Sequence, residues 1–395
     1  MISVIFLSEN IKNLDSVSKI GGISFIELLH NENLKYQVID DNQVILKENL
    51  NWDDILLVFY DKDCVVNTKI RKVIKLYQED NIVIPVNISD DSPPPEPVSG
   101  IKAFKASDYT NFNDTSKQFL IRVQALLGVK LRNPESKIFI SYKSSDGKEI
   151  AKEIEVFLKV NGFDVYMDEA KGDYDGQGKL ASGVDVQKEL QKNLKDASMV
   201  LLLDTPKASE SFWIKEEINW AIGNLIPVLP IIIEHKNKKG SRFLSLKGLS
   251  RYWNYNKSLG DLLNEVEMFL SSIYVSKKRI YFEAKRIFNN YKYSWEELDE
   301  HKKIYKSQKG EYREMVKIVS HCVYYDIENL KYLEKAGKII NNYMNSNYRY
   351  FIYDGEVLNK ISIDYIYSES KIFEDFRILN HQELEAFLPE NIGKR

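Results

Sequence analysis

Short apolar runs recur along this chain, separated by stretches in which apolar residues return every three or four positions. In the first third, Ile2–Leu7, Asp54–Tyr60 and Asn81–Ile88 read as buried strands. Ile20–His30, Asn67–Tyr77 and Asp114–Leu127 between and after them have helical period. Strand alternating with helix predicts a parallel sheet. Asp90–Pro97, with four prolines, predicts a stiff exposed loop. After Asn133-Pro134-Glu135 the alternation resumes. Lys137–Tyr142, Phe163–Met167, Met199–Leu203, Leu225–Ile233 and a short piece near Arg251 read as strands. Helices are predicted over Gly147–Val160, Asp185–Asp196, from Ser211 to Ile222, and from Leu259. Gly162 supplies a C-terminal stop, and Glu169–Val184 is a glycine-bearing loop. About five strands in this order predict a doubly wound α/β domain.

From Ser276 the pattern changes. Lys277–Tyr293, Glu311–Tyr325 and Ile327–Met344 have helical period, and Ser294-Trp-Glu-Glu297 has the form of a capping box that opens another helix. Tyr348–Tyr353 and Ile361–Tyr367 predict a small antiparallel sheet, and Asn380 can cap a last helix through Leu388. The expected division is therefore an α/β domain over 1–132, a second over 136–272, and a mostly helical α+β domain over 276–395. A faint internal repeat links the first two. Setting Pro85 against Pro230 brings Leu56–Asp61 near Val200–Asp204, and the position matching Glu217 falls on or near Lys72. The first segment then reads as a copy of the second without its acid.

Composition narrows the chemistry. The 395 residues suffice for two or three domains, and a net charge of −3 without a long basic patch argues against a nucleic-acid partner. Cys64 and Cys322 are too few for a disulfide framework or a thiolate metal site. His30, His235, His301, His321 and His381 stand at no helical ligand spacing, so no metal site is expected. Met1–Asn10 reads as a first strand rather than a signal peptide. The run at Leu225–Ile233 is too short to span a bilayer and is broken by Pro227 and Pro230. A cytoplasmic protein with no membrane partner is the expectation.

The stretch Asp204–Ile222 carries the strongest chemical signal. Trp213, Glu217 and Ala221 fall at successive i, i+4 steps on one helix face, just past a strand end where open α/β sheets bind ligands. A carboxylate and an indole so placed suit a ligand site. They also suit a surface glutamate beside a core-anchoring tryptophan, and spacing alone leaves both open.

Four pieces in order, Phe139–Asp146, Gly162–Asp168, Asp196–Leu203 and Ser211–Glu217, resemble a TIR (Toll/interleukin-1 receptor) domain over roughly 136–235. The resemblance implies a flavodoxin-like doubly wound parallel sheet, preceded here by a degenerate TIR-like α/β domain. It implies either an adaptor module or an enzyme that cleaves NAD+ between nicotinamide and ribose, with NAD+ as substrate and no cofactor. In the enzymes a glutamate follows the tryptophan of a Ser-x-Trp by four residues, which makes Glu217 the catalytic acid and Glu216 the less suited neighbour. By the same resemblance Ser211 and Trp213 complete the motif, and Tyr142 and Lys143 touch the nucleotide. Lys171 can pair with a phosphate. Asp168 either touches substrate or caps its loop, and both lysines equally suit solvated loop positions. The loop Glu169–Val184 is longer than the family's and lacks its usual aromatic, which leaves the geometry of a site shared between protomers open. A homo-oligomer formed through TIR domains, a phage-derived or protein trigger and an anti-phage role in NAD depletion follow from the resemblance. A weaker alternative is base or deoxyribose transfer between nucleosides.

Overall fold

The computed structural model describes residues 2–8, 25–32, 34–39, 45, 50, 54–87, 92–108, 112–129, 137–167, 194, 196–224, 226–233, 242–243, 251–252, 258–299, 304–310, 312–318, 348–353 and 376–392. The chain divides into two compact units. The first is Met1–Glu135 with Lys152–Val165 and Ser258–Ser271. The second is Ser136–Ala151, Tyr166–Lys257 and Ser272–Arg395.

In the first unit, strands β1 (Ile2–Phe6), β2 (Tyr36–Val38), β3 (Ile55–Tyr60), β4 (Ile82–Asn87) and β5 (Phe104–Lys105) form one parallel sheet in the order β2-β1-β3-β4-β5. Helices α1 (Phe25–Asn31), α2 (Thr68–Asp80) and α3 (Phe112–Val129) accompany it. Strands β1 and β3 are buried along their whole length, as continuous apolar runs in a sheet covered on both faces should be. Phe6, Phe25, Phe59, Phe104 and Phe119 meet in one aromatic cluster, with Phe25 and Phe119 centroids 4.6 Å apart. At the opposite end of β1, Tyr77 and Gln37 both donate to Ser3 Oγ, at 2.7 and 2.8 Å. Burial pushes the Tyr77 hydroxyl above the usual tyrosine range.

Arg122 on α3 ties together separate parts of this unit. Its guanidinium donates to Glu267 and to the Asn161 carbonyl, and lies 5.4 Å from the Phe163 ring centroid. Both members of the ion pair are largely buried. Lysine has charge but no planar fork, so it cannot serve both acceptors and stack on the ring together. Arg122→Lys is expected to lower stability by about 1–3 kcal/mol, the cost of a buried acceptor left unserved. A urea midpoint equal to that of wild type would contradict this.

In the second unit, β6 (Lys137–Ser141), β7 (Val165–Met167), β8 (Ala197–Asp204), β9 (Val228–Ile232) and β10 (Arg251–Tyr252) lie in the order β7-β6-β8-β9-β10. Read by position in sequence, this is the order of the first sheet. Helix α4 (Ser144–Val160) follows β6, and α5 (Phe212–Gly223) joins β8 to β9. The expected stop at Gly162 is present: its φ is +86°, and the Phe163 amide donates back to the Leu158 carbonyl at 3.1 Å.

The repeat can now be aligned through strand pairing. Ser141 lies opposite Leu202, which lies opposite Pro230; Ile5 lies opposite Val58, which lies opposite Pro85. Ile5 is therefore the counterpart of Ser141. On the helices, buried Ile74 and Tyr77 match buried Ile218 and Ala221, so Val73 stands where Glu217 does. That is one residue from the expected Lys72, which is exposed. Ile5 belongs to the apolar core of the first sheet, and Val73, partly buried, packs against it.

The third segment departs most from expectation. Leu259–Asn290 is one helix (α6) of 32 residues, so the break expected between 272 and 276 falls inside a continuous element. It ends where Lys292 takes a φ of 64° and the Tyr293 amide donates to the Phe288 carbonyl at 3.0 Å. Ser294–Asp299 is not a capped helix but strand β11, followed by β12 (Ile304–Lys309), β13 (Tyr312–Ile318), β14 (Tyr348–Tyr353) and β15 (Phe376–Asn380). The helix expected over 311–325 is thus β13 in its described part. A turn beginning at Gly310, with φ +59°, folds β12 back on β13. Cross-strand contacts override the local helical signal. Trp295 stacks on Tyr305 at 5.0 Å, Lys306 Nζ pairs with Glu296 Oε2 at 3.2 Å, and Ser307 Oγ donates to the Ser294 carbonyl.

The third sheet runs β11-β12-β13-β14-β15. Strand β12 is antiparallel to both neighbours, while β14 is parallel to β13 and β15. Both edges of β14 are thus occupied, by β13 and β15. Residues 361–367 and the helix expected over 327–344 lie outside the described residues. Helix α7 (His381–Ile392) opens as expected. The Glu383 amide donates to Asn380 Oδ1 at 2.7 Å, and the Asn380 amide donates to Glu383 Oε2 at 2.9 Å.

Candidate functional site

In the second sheet β6 has β7 on one side and β8 on the other, so strand order reverses there. Ligands of open α/β sheets bind at such a point, beyond the carboxyl ends of the strands. Ser141 and Asp204 end β6 and β8, and α5 leaves the same edge.

Ser211 stands at the N-cap of helix α5; it is buried, extended (φ −72°, ψ 121°) and makes no side-chain capping bond. Trp213 is half-buried and meets Phe212 edge-on with centroids 5.5 Å apart; Phe212 is 64% exposed. The indole that packs on the apolar core is Trp220, seven residues later. Trp213 is thus not the core anchor that one reading of the spacing required.

Glu217 is no surface residue either. It has no exposed area, and its Oε2 accepts a hydrogen bond from Ser141 Oγ at 2.5 Å. Ser141 is equally buried. This serine is the site residue that the sequence reading missed. Its signal was the position itself: the last residue of a strand that pairs with β8, one before the expected Tyr142.

Around this pair the edge is held firmly. Tyr142 is buried and Lys143 half-buried. The Lys143 carbonyl accepts from the Gly147 amide at 2.8 Å. Asp146 reaches across the switch point, accepting from Thr205 Oγ1 at 2.8 Å and from the Lys207 amide at 2.9 Å. Gly147 has little room for a side chain, since a Cβ there would lie 3.3 Å from Tyr142 Cβ and 3.6 Å from Thr205 Cγ2. Asp204, fully buried, pairs with Arg242 Nη1 at 2.9 Å and accepts from the Arg242 amide at 2.8 Å. Asp168, Lys171, the loop 169–184 and residues 185–193 of the helix expected over 185–196 lie outside the described residues. Among the described residues, no group of three His, Cys, Asp or Glu could hold a metal ion.

A family model described as the TIR domain matches residues 138–262. This segment is a TIR domain. No curated protein matches the chain. The TIR match spans β6 to the start of α6, and so includes both Ser141 and Glu217. The TIR family includes NAD-cleaving enzymes, and TIR domains commonly self-associate. Among the described residues, no helix is long and apolar enough to cross a membrane.

Proposed function

We propose that the TIR domain is an NAD+ glycohydrolase with Glu217 as its acid. The observation that carries this reading is the buried Ser141–Glu217 pair, set against its apolar counterpart in the first sheet. A buried carboxylate costs stability unless it is fully served. At the matching positions of the first sheet Ile5 is buried in an apolar core and partly buried Val73 packs against it, so this topology has no need of an acid there. An acid retained at a strand-order reversal suits chemistry better than architecture.

In the reaction water adds to C1′ of the ribose as the bond to the nicotinamide nitrogen breaks. The electron pair of that bond neutralises the pyridinium, so the leaving group needs no general acid. Products are nicotinamide, ADP-ribose and a proton; attack by an adenine nitrogen in place of water gives a cyclic isomer. The role of Glu217 is to stabilise the oxocarbenium-like ribose electrostatically. Because its carboxylate is buried, the chain covering it must shift to admit the ribose. Tyr142, Lys143, Ser211 and Trp213 would line the approach, and Asp168 and Lys171 would complete it. NAD+ is the substrate, with no cofactor or metal. The active form is a homo-oligomer in the cytoplasm, and a phage-derived or protein trigger would couple NAD+ depletion to defence.

The test is nicotinamide release from NAD+ by the full chain at high protein concentration. Turnover is expected. Activity on deoxynucleosides but not on NAD+ would replace this reading with base transfer. No activity on either would leave the TIR domain a scaffold for assembly, a role that the acid-free first sheet also suits.

A further inference from the structure

Resting on the glycohydrolase reading, we propose that Ser141 is a positioning residue that fixes the carboxylate of Glu217 for attack at the ribose. A glutamate on a helix has three rotatable bonds, and a carboxylate can stabilise developing charge only where it is held. Ser141 supplies the hold. Its hydroxyl sits on one rotatable bond at the end of β6, a strand paired on both sides. The 2.5 Å contact to Oε2 has the length of a hydroxyl donating to a carboxylate.

The support beneath it is rigid. Directly after Ser141, the chain is pinned by the Asp146 bridge to Thr205 and Lys207, and by the close approach of Gly147 to Tyr142. A group that orients a catalytic residue needs such a backing, because small displacements cost much of the rate. Packing alone does not explain the hydroxyl. The first sheet fills the same position with Ile5, fully buried and wholly apolar. Serine here gives up that apolar contact and gains one hydrogen bond, to the acid. The Ser141 hydroxyl is engaged by Glu217 Oε2, so it acts through Glu217.

Ser141→Ala is therefore expected to lower kcat by about 10- to 100-fold, the range of a lost hydrogen bond to a charged group, with KM unchanged. The melting temperature should stay close to that of wild type. A merely structural serine would show the opposite: a lower melting temperature and a raised KM with little change in kcat. If the alanine variant does not fold, Ser141→Cys keeps the volume with a much weaker donor and is read the same way. A wild type without turnover on NAD+ overturns the glycohydrolase reading, and this inference with it. A working wild type beside Ser141→Ala with unaltered kcat overturns the inference alone.

Discussion

Replacing Glu217 with Gln is expected to cut nicotinamide release by at least about 10²–10³-fold, the usual loss when a group that stabilises transition-state charge is removed. Glutamine keeps the shape and can still accept from Ser141, so the loss reports on charge rather than packing. Stability should not follow activity. Glu217 is a fully buried carboxylate, and neutral replacements of buried charges are often neutral or stabilising. The expected pattern is a dead enzyme that melts at or above the wild-type temperature. Full turnover in Glu217→Gln would remove this residue from the mechanism. A large fall in melting temperature would recast it as a structural acid.

Arg242→Ala should have the opposite signature. Its side chain serves Asp204, which has no exposed area, and removing it strands a buried charge. Breaking a buried pair from one side typically costs about 3–5 kcal/mol. The first transition in guanidinium should move to a clearly lower midpoint. The double variant Arg242→Met with Asp204→Leu should recover much of that loss, because neither charge then needs a partner. Asp204 lies two residues beyond Leu202 and so on the same face as Ser141. The single variant should therefore also lose activity, where Arg122→Lys, in the first unit, should not. A midpoint unmoved by Arg242→Ala would mean that water reaches Asp204.

The central strands of the first two sheets were legible in the sequence because they are mostly apolar runs, whereas β2 (Tyr-Gln-Val) and β5 (Phe-Lys) are too short and too polar to show such a run and were not expected. Buried parallel strands and amphipathic crossovers are the strongest patterns a chain displays. The alignment through Pro85 and Pro230 placed the repeat within one residue, and burial of Ile74 and Ile218 settled the helix phase. Spacing to Trp213 singled out Glu217 but left two readings open, and its proposed role came from the TIR resemblance. Ser141 was not singled out, since a serine ending a strand has no pattern of its own and its meaning lies in a contact 76 residues away.

The third sheet was misread for a physical reason. Ser294-Trp-Glu-Glu297 satisfies a capping rule locally, but Trp295, Glu296 and Ser307 find better partners across strands. Such partners are invisible to a local window. Gly310, a turn glycine between two short runs, is the local signal of the hairpin. The segment boundary expected between 272 and 276 falls inside helix α6, and no Gly or Pro interrupts the chain there.

Two sheets of equal order and matching register in one chain pose a folding hazard. Strand β1 could dock beside β8, or β6 beside β3, and domain exchange of this kind is a known failure of repeated folds. The polar residues of the second sheet act against it. With β1 in the place of β6, Ile5 would face Glu217 and take away the Ser141 hydroxyl that serves the carboxylate. With β6 in the place of β1, the Ser141 hydroxyl would lie among Leu56, Val58 and Val73 without the Glu217 acceptor. Each exchange leaves a buried polar group without the partner it has in the native pairing, at a cost of about 1–3 kcal/mol. The Ser141–Glu217 pair thus also tells the folding chain which copy each central strand belongs to.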